Sequence, residues 1–155
     1  MDASSSIISS FKFISYKIDE FTFEMSKHVS LLAVNKSITE KSEINIGIKQ
    51  PILFKKDNRF ISGIDCKITL MSNGVPVVNL KASISGLFTT EDSIDPTLVD
   101  NIVKMQFPTI LFPYLRSTIT TFFANAGFGT FIFPLINVVE LAKNNLENIP
   151  IQIIE

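Results

Sequence analysis

Two apolar runs on either side of Ser72-Asn73-Gly74 constrain this chain more than anything else in it. Before the turn, Phe60, Ile64, Cys66, Ile68 and Leu70 share one parity, with Asp65, Lys67 and Thr69 on the other. After it, Val78, Leu80, Ala82, Ile84 and Phe88 share one parity, with Asn79, Lys81, Ser83 and Ser85 opposite. Period-two alternation of this length predicts two strands, each with one dry and one wet face, joined as a hairpin. The parity also bears on the turn. A two-residue Asn-Gly loop would pair even positions with odd ones and set the dry side of one strand beside the wet side of the other. A three-residue loop with Gly74 left-handed in a bulge keeps the faces aligned and is the expected arrangement.

A one-sided sheet needs cover. Residues 11–25 read as a long strand whose apolar phase changes: Phe11 and Phe13 are odd, Ile14, Tyr16 and Ile18 even, and Phe21, Phe23 and Met25 odd again. Either bulges shift the phase, or both faces are partly covered, which requires a partner. Residues 43–54 alternate through Ile44, Ile46, Ile48, Ile52 and Phe54, and Pro51 marks an edge or an interruption. Asp95-Pro96 predicts a helix start, followed by Leu98, Val99, Ile102 and Val103 at helical spacing. A second helix is expected from near Pro108 to Ala126, on Leu111, Leu115, Ile119, Phe122 and Ala126, kinked at Pro113 and ended by Gly127. A strand is the rival for Ser117–Thr121, which has poor helix propensity. Asn137 and Glu140 stand at capping-box spacing before a last helix over residues 138–146. Strands first and helices last is the order of an α+β fold. Without an internal repeat or linker, one domain over residues 1–155 is expected, frayed at 1–10 and 148–155.

Hydrophobic residues make up 46% of the chain and charged ones 19%, against roughly 25% charged in soluble domains. That is more apolar surface than so short a chain needs for its own core, and it implies an interface, an oligomer or a ligand surface. No stretch approaches the roughly 20 apolar residues of a membrane span, and Met-Asp-Ala-Ser-Ser-Ser is no signal peptide. The lone Cys66 excludes an internal disulfide and the usual zinc-ligand sets. The expected compartment is the cytoplasm. Scattered Lys and Arg at a net charge of −1 argue against nucleic-acid binding. His28 lies in a polar loop without a paired nucleophile, and Cys66 has inward parity. Asp19, Glu20 and Glu24 read as a solvated strand face, while Glu91, Asp92 and Asp95 read as a helix N-terminus favouring negative charge. Gly127-Phe128-Gly129 is too short for a nucleotide fingerprint. A non-enzymatic protein without cofactor or metal is expected.

Ile110-Leu111-Phe112-Pro113-Tyr114-Leu115-Arg116 resembles the signature of SecB, the bacterial protein-export chaperone, whose stretch reads Ile-Leu-Phe-Pro-Tyr-Ala-Arg. Ser85-Gly86-Leu87-Phe88 is similar to the family's Gly-Gly-Ile-Phe, and Gly127-Phe128 and Asn137 fall at the spacing of its Gly-x-Phe-Pro and Pro-x-Asn-Phe elements. The resemblance runs over residues 10–146. It implies a four-stranded antiparallel sheet with a long and a shorter helix on one face, and a homotetramer built as a dimer of dimers. It also implies ATP-independent holding of unfolded polypeptides in hydrophobic grooves and hand-over to the SecA motor. The family's groove positions correspond here to Ile44, Ile46, Ile48, Phe128, Phe131, Phe133, Val138, Leu141 and Ala142, and its acidic SecA-docking positions to Glu20 and Glu24. Lys81 stands where the family usually has an acid, Gly129 replaces a proline, and a strongly acidic tail is missing. These departures favour holding over delivery. They leave room for an orphan SecB-like protein with a restricted client such as an antitoxin. A binder of small apolar ligands using the same groove is the rival class.

Overall fold

The computed structural model describes residues 11–26, 41–72, 74–91, 96–128, 133, 136–138, 140–141 and 149–155. The strands are β1 (Phe11–Met25), β2 (Lys41–Ile48), β3 (Ile52–Phe54), β4 (Arg59–Ser72), β5 (Val75–Thr90) and β6 (Gln152–Ile154). They form one sheet in the order β1-β5-β4-β3-β6, with β2 also paired to β4. Every pairing is antiparallel except β3 with β6, which is parallel. The sheet is therefore six-stranded and mixed, where four antiparallel strands were expected. Pro51 interrupts the alternating 43–54 segment, so β2 and β3 lie end to end along the same side of β4. The added strand is β6, in a stretch expected to fray.

The β4–β5 hairpin has the expected alignment by a different route. Ser72 pairs with Val75 across Asn73 and Gly74, so the loop has two residues. Met71 pairs with Pro76 but Leu70 pairs with Val78, so Val77 is bulged and restores even-to-even pairing from there on. Gly74 is left-handed, at φ 77°, as a tight turn requires. The bulge thus sits inside the strand, where Pro76 already disturbs the ladder. The phase changes in β1 have the same cause: its register against β5 shifts between Phe13 and Ser15 and again between Ile18 and Glu20. Phe11, Phe13, Ile18, Phe21, Phe23 and Met25 all pack toward the core as a result.

Among the described residues, one helical run covers the inner face where separate helices from Pro96 and from near Pro108 were expected; residues 142–146 of the expected last helix lie outside the described residues. The run comprises α1 (Pro96–Asn101), a π-helical turn (Ile102–Gln106) and α2 (Phe107–Phe123). The Phe107 N–H reaches back five residues to Ile102 O. This wide turn carries the chain past Pro108, whose ring would press on the preceding turn of a regular helix. Ser117–Thr121 is helical. Thr118 Oγ1 donates to Tyr114 O at 2.9 Å and Thr120 Oγ1 to Arg116 O at 2.9 Å, so both hydroxyls are satisfied within the helix, and its packing on the sheet overrides their poor propensity. A second π-type turn (Ala124–Phe128) closes the run, with Gly127 at φ 92°. The buried stripe is Val103, Phe107, Leu111, Leu115, Ile119 and Phe123; Phe123 replaces the expected Phe122, which is half-buried, and Ala126 is exposed.

Aromatic side chains fasten this run to the sheet. Phe107 stacks on Phe88 at 3.8 Å and meets Phe11 edge-on at 5.1 Å, while Phe122 meets Phe21 and Phe23 at 4.7 and 4.8 Å. Between them, Gly86 makes room for Leu111, because a Cβ there would stand 2.4 Å from Leu111 Cδ2. Asn137 caps the next helical turn: Glu140 N–H donates to Asn137 Oδ1 at 3.1 Å and Leu141 N–H to Asn137 O at 3.0 Å.

Candidate functional site

Ile48 at the end of β2 and Leu141 beyond α2 meet in a small apolar cluster with Met105 and Ile149. Ile44, Ile46 and Ile48 pair with Ile68, Cys66 and Ile64 on β4 and so share the dry face. Ile44 and Ile46 are half-buried at the edge of the main core. Ile48 is covered by Met105, Leu141 and Ile149. Phe133 is 6% exposed, meeting Phe112 edge-on at 5.6 Å, and Val138 is 8% exposed. Among the described residues, Phe133 and Val138 belong to the buried main core, Ile44 and Ile46 lie at its margin, and Ile48 and Leu141 fall in a separate small cluster. Phe131, Ala142, His28, residues 1–10 and the side chain of Phe128 lie outside what is described.

The outer face of the sheet is polar and charge-matched. Glu20 Oε1 lies 3.6 Å from Lys81 Nζ, so the lysine that departs from the family pattern neutralises one of the two acids proposed for docking. Glu24 stands opposite Asn79. Asp19, at the second β1 bulge, meets Lys17 and Lys49 at 3.2 Å each and accepts a hydrogen bond from the Ser85 hydroxyl. Partial burial works against its charge, but Ser85, Lys49 and Lys17 together hold the carboxyl below the usual carboxylate range. Lys49 reaches Asp19 by lying over Gly63, where a Cβ would stand 2.7 Å from Lys49 Cδ. Cys66 is buried, and desolvation pushes its thiol up to about 12. It stays protonated and packs as a small apolar group, as its parity implied.

A second surface was not singled out in the sequence. Ile14 is 48% exposed at the first β1 bulge, and Tyr16 and Tyr114 are 45% and 39% exposed with ring centroids 4.5 Å apart. They flank β1, which pairs only with β5 among the described strands. The even parity of Ile14 and Tyr16 was the available signal. Among the described residues, no helix is long and apolar enough to cross a membrane.

Comparison with known proteins agrees with this architecture. The family described as "Preprotein translocase subunit SecB" matches residues 8–148. An uncharacterized protein of Methanocaldococcus jannaschii is 31% identical over 134 residues, covering 81% of this chain and 83% of that protein. The protein-export protein SecB of Xanthomonas euvesicatoria is 26% identical over 104 residues, covering 67% of this chain and 61% of that protein. Among solved structures, a SecB-like chaperone of Mycobacterium tuberculosis, in complex with a peptide from the HigA1 antitoxin, superposes with a TM-score of 0.63 at 10% identity, over 83% of this chain and 91% of that one. The chain belongs to the SecB family, a family of non-enzymatic chaperones.

Proposed function

We propose that this chain is an ATP-independent holdase that keeps unfolded polypeptides from aggregating by covering their apolar segments. The observation that supports the reading is the half-buried pair Ile44 and Ile46, on the dry face of β2 at the margin of the main core. Broad apolar contact without fixed hydrogen-bond partners suits a binder of many sequences. Ile48, Phe128, Phe131, Phe133, Val138, Leu141 and Ala142 complete the proposed client surface, of which Ile48, Phe133 and Val138 are buried in the free chain and have to open to meet a client. The antitoxin peptide carried by the Mycobacterium tuberculosis relative supports polypeptide clients in general and a restricted client set in particular.

The functional form is a cytoplasmic homotetramer, with the Ile14, Tyr16 and Tyr114 patch beside the β1 edge as a subunit contact. Delivery to SecA would use Glu20 and Glu24, but the Lys81 contact weakens that acidic surface. The decisive experiment is client aggregation without nucleotide, followed by light scattering. Ile44→Ser with Ile46→Ser should abolish suppression while leaving the fold intact by circular dichroism; full suppression by that variant would remove the proposed surface. Pull-down with SecA tests delivery: binding that survives Glu20→Lys with Glu24→Lys excludes those two residues as the dock.

A further inference from the structure

Residues 149–155 lie beyond the 8–148 span of the family match, yet they are bound to the sheet. Their sequence is Ile-Pro-Ile-Gln-Ile-Ile-Glu. They run extended and parallel to β3, with Ile52, Leu53 and Phe54 registered on Gln152, Ile153 and Ile154. The Gln152 N–H donates to Pro51 O and the Lys55 N–H to Ile154 O, both at 2.9 Å. Gln50 Nε2 adds a bond to Pro150 O at 3.0 Å, and Lys55 Nζ an ion pair to Glu155 at 3.4 Å. Upstream, Ile149 covers Ile48, and Ile151 packs on the main core. The strand itself buries little, with Ile153 59% and Ile154 39% exposed.

These are the contacts an extended apolar client would make: main-chain bonds to a strand edge plus an isoleucine, Ile149, set on Ile48 of β2. Segment and edge are complementary, but weakly so, because three exposed residues and a few peripheral bonds hold the strand. We infer that residues 149–155 form an autoinhibitory strap, a tethered stand-in for a client that occupies the β3 edge and Ile48 until an unfolded polypeptide displaces it. The inference rests on the holdase reading and adds its regulation. A strap that closes the site most of the time lowers apparent client affinity by the closed fraction, so a site open one-tenth of the time binds about tenfold more weakly than an open one.

The test uses the whole chain and a permanently unfolded probe, reduced and carboxymethylated α-lactalbumin. Gln152→Pro removes the donor to Pro51 O and should raise probe affinity by about tenfold, with unchanged circular dichroism. A second measurement needs no variant. Saturating probe should accelerate hydrogen exchange at the Gln152 amide of the unaltered protein and leave the amides of β5 unchanged. Binding by the variant where the unaltered chain binds poorly supports the strap. Equal affinities with the Gln152 amide still protected overturn the strap and leave the holdase standing. No probe bound by either form removes the holdase reading, and the strap's inhibitory role with it.

Discussion

Ser62 sits on the inner face of β4 opposite Gly86, 1% exposed, and its hydroxyl has no hydrogen-bond partner among the described residues. A buried unpaired hydroxyl costs roughly 1–3 kcal/mol. Ser62→Ala is therefore expected to raise the urea midpoint, a gain of about 1 kcal/mol, measured on the same chain at pH 7. Asp19 shows the opposite situation. Its folded-state pKa is lowered, so its stabilisation is fully present above the ordinary carboxylate pKa and fades as pH falls through the lowered value. Asp19→Asn should lower the urea midpoint at pH 6, and the gap from the unaltered protein should narrow by pH 3. A gap that is constant with pH would mean that the Lys17, Lys49 and Ser85 contacts do not stabilise the charge. At this scale the sequence was informative for Cys66, whose parity alone indicated burial, and uninformative for Lys49, whose path over Gly63 to Asp19 joins residues that are 30 apart in the chain.

Among the elements, the helical run and the short strands repay attention. Leu111, Leu115 and Ile119 were legible from i, i+4 spacing, because a helix packed on a sheet needs a dry stripe. The join between α1 and α2 was not, because Pro108 reads as a helix start and equally fits beside a π-turn. Asn137 is a clearer case. Its side chain accepts from the Glu140 N–H, so Asn137→Ala should cost about 1 kcal/mol. The effect should appear as faster hydrogen exchange at Glu140 and Leu141, with β4 and β5 unaffected. Such a variant would also loosen the segment that carries Leu141 onto Ile48 of β2. β6 escaped prediction because Gln-Ile-Ile has no alternation to read. It is a strand because its backbone pairs with the edge of β3 that faces away from β4.

For the whole molecule, the exposed aromatic patch and the long β1 edge bear on assembly. A 15-residue edge strand flanked by Ile14, Tyr16 and Tyr114 is an association surface unless something covers it. Light scattering is expected to give a mass near four chains of 17.3 kDa. Ile14→Lys with Tyr16→Lys should reduce that mass, because two like charges on neighbouring copies of an edge repel. A variant that keeps the full mass would place the subunit contact elsewhere.

What the sequence determined by itself was parity: which residues of β4 and β5 face inward, most of the inward stripe of α2, and that the apolar phase of β1 changes along its length. The Ile110–Arg116 segment carried the family. These are local properties, set by periods of two and 3.6 residues. The tertiary structure decided the rest, because each remaining feature depends on contacts between distant residues. It placed the hairpin bulge at Val77 rather than Gly74. It fused two helices through a π-turn and paired Glu20 with Lys81. It also laid residues 149–155 along β3, roughly 100 positions upstream. Strand pairing across such separations depends on which edge is left open once the core has packed, and no local pattern records that.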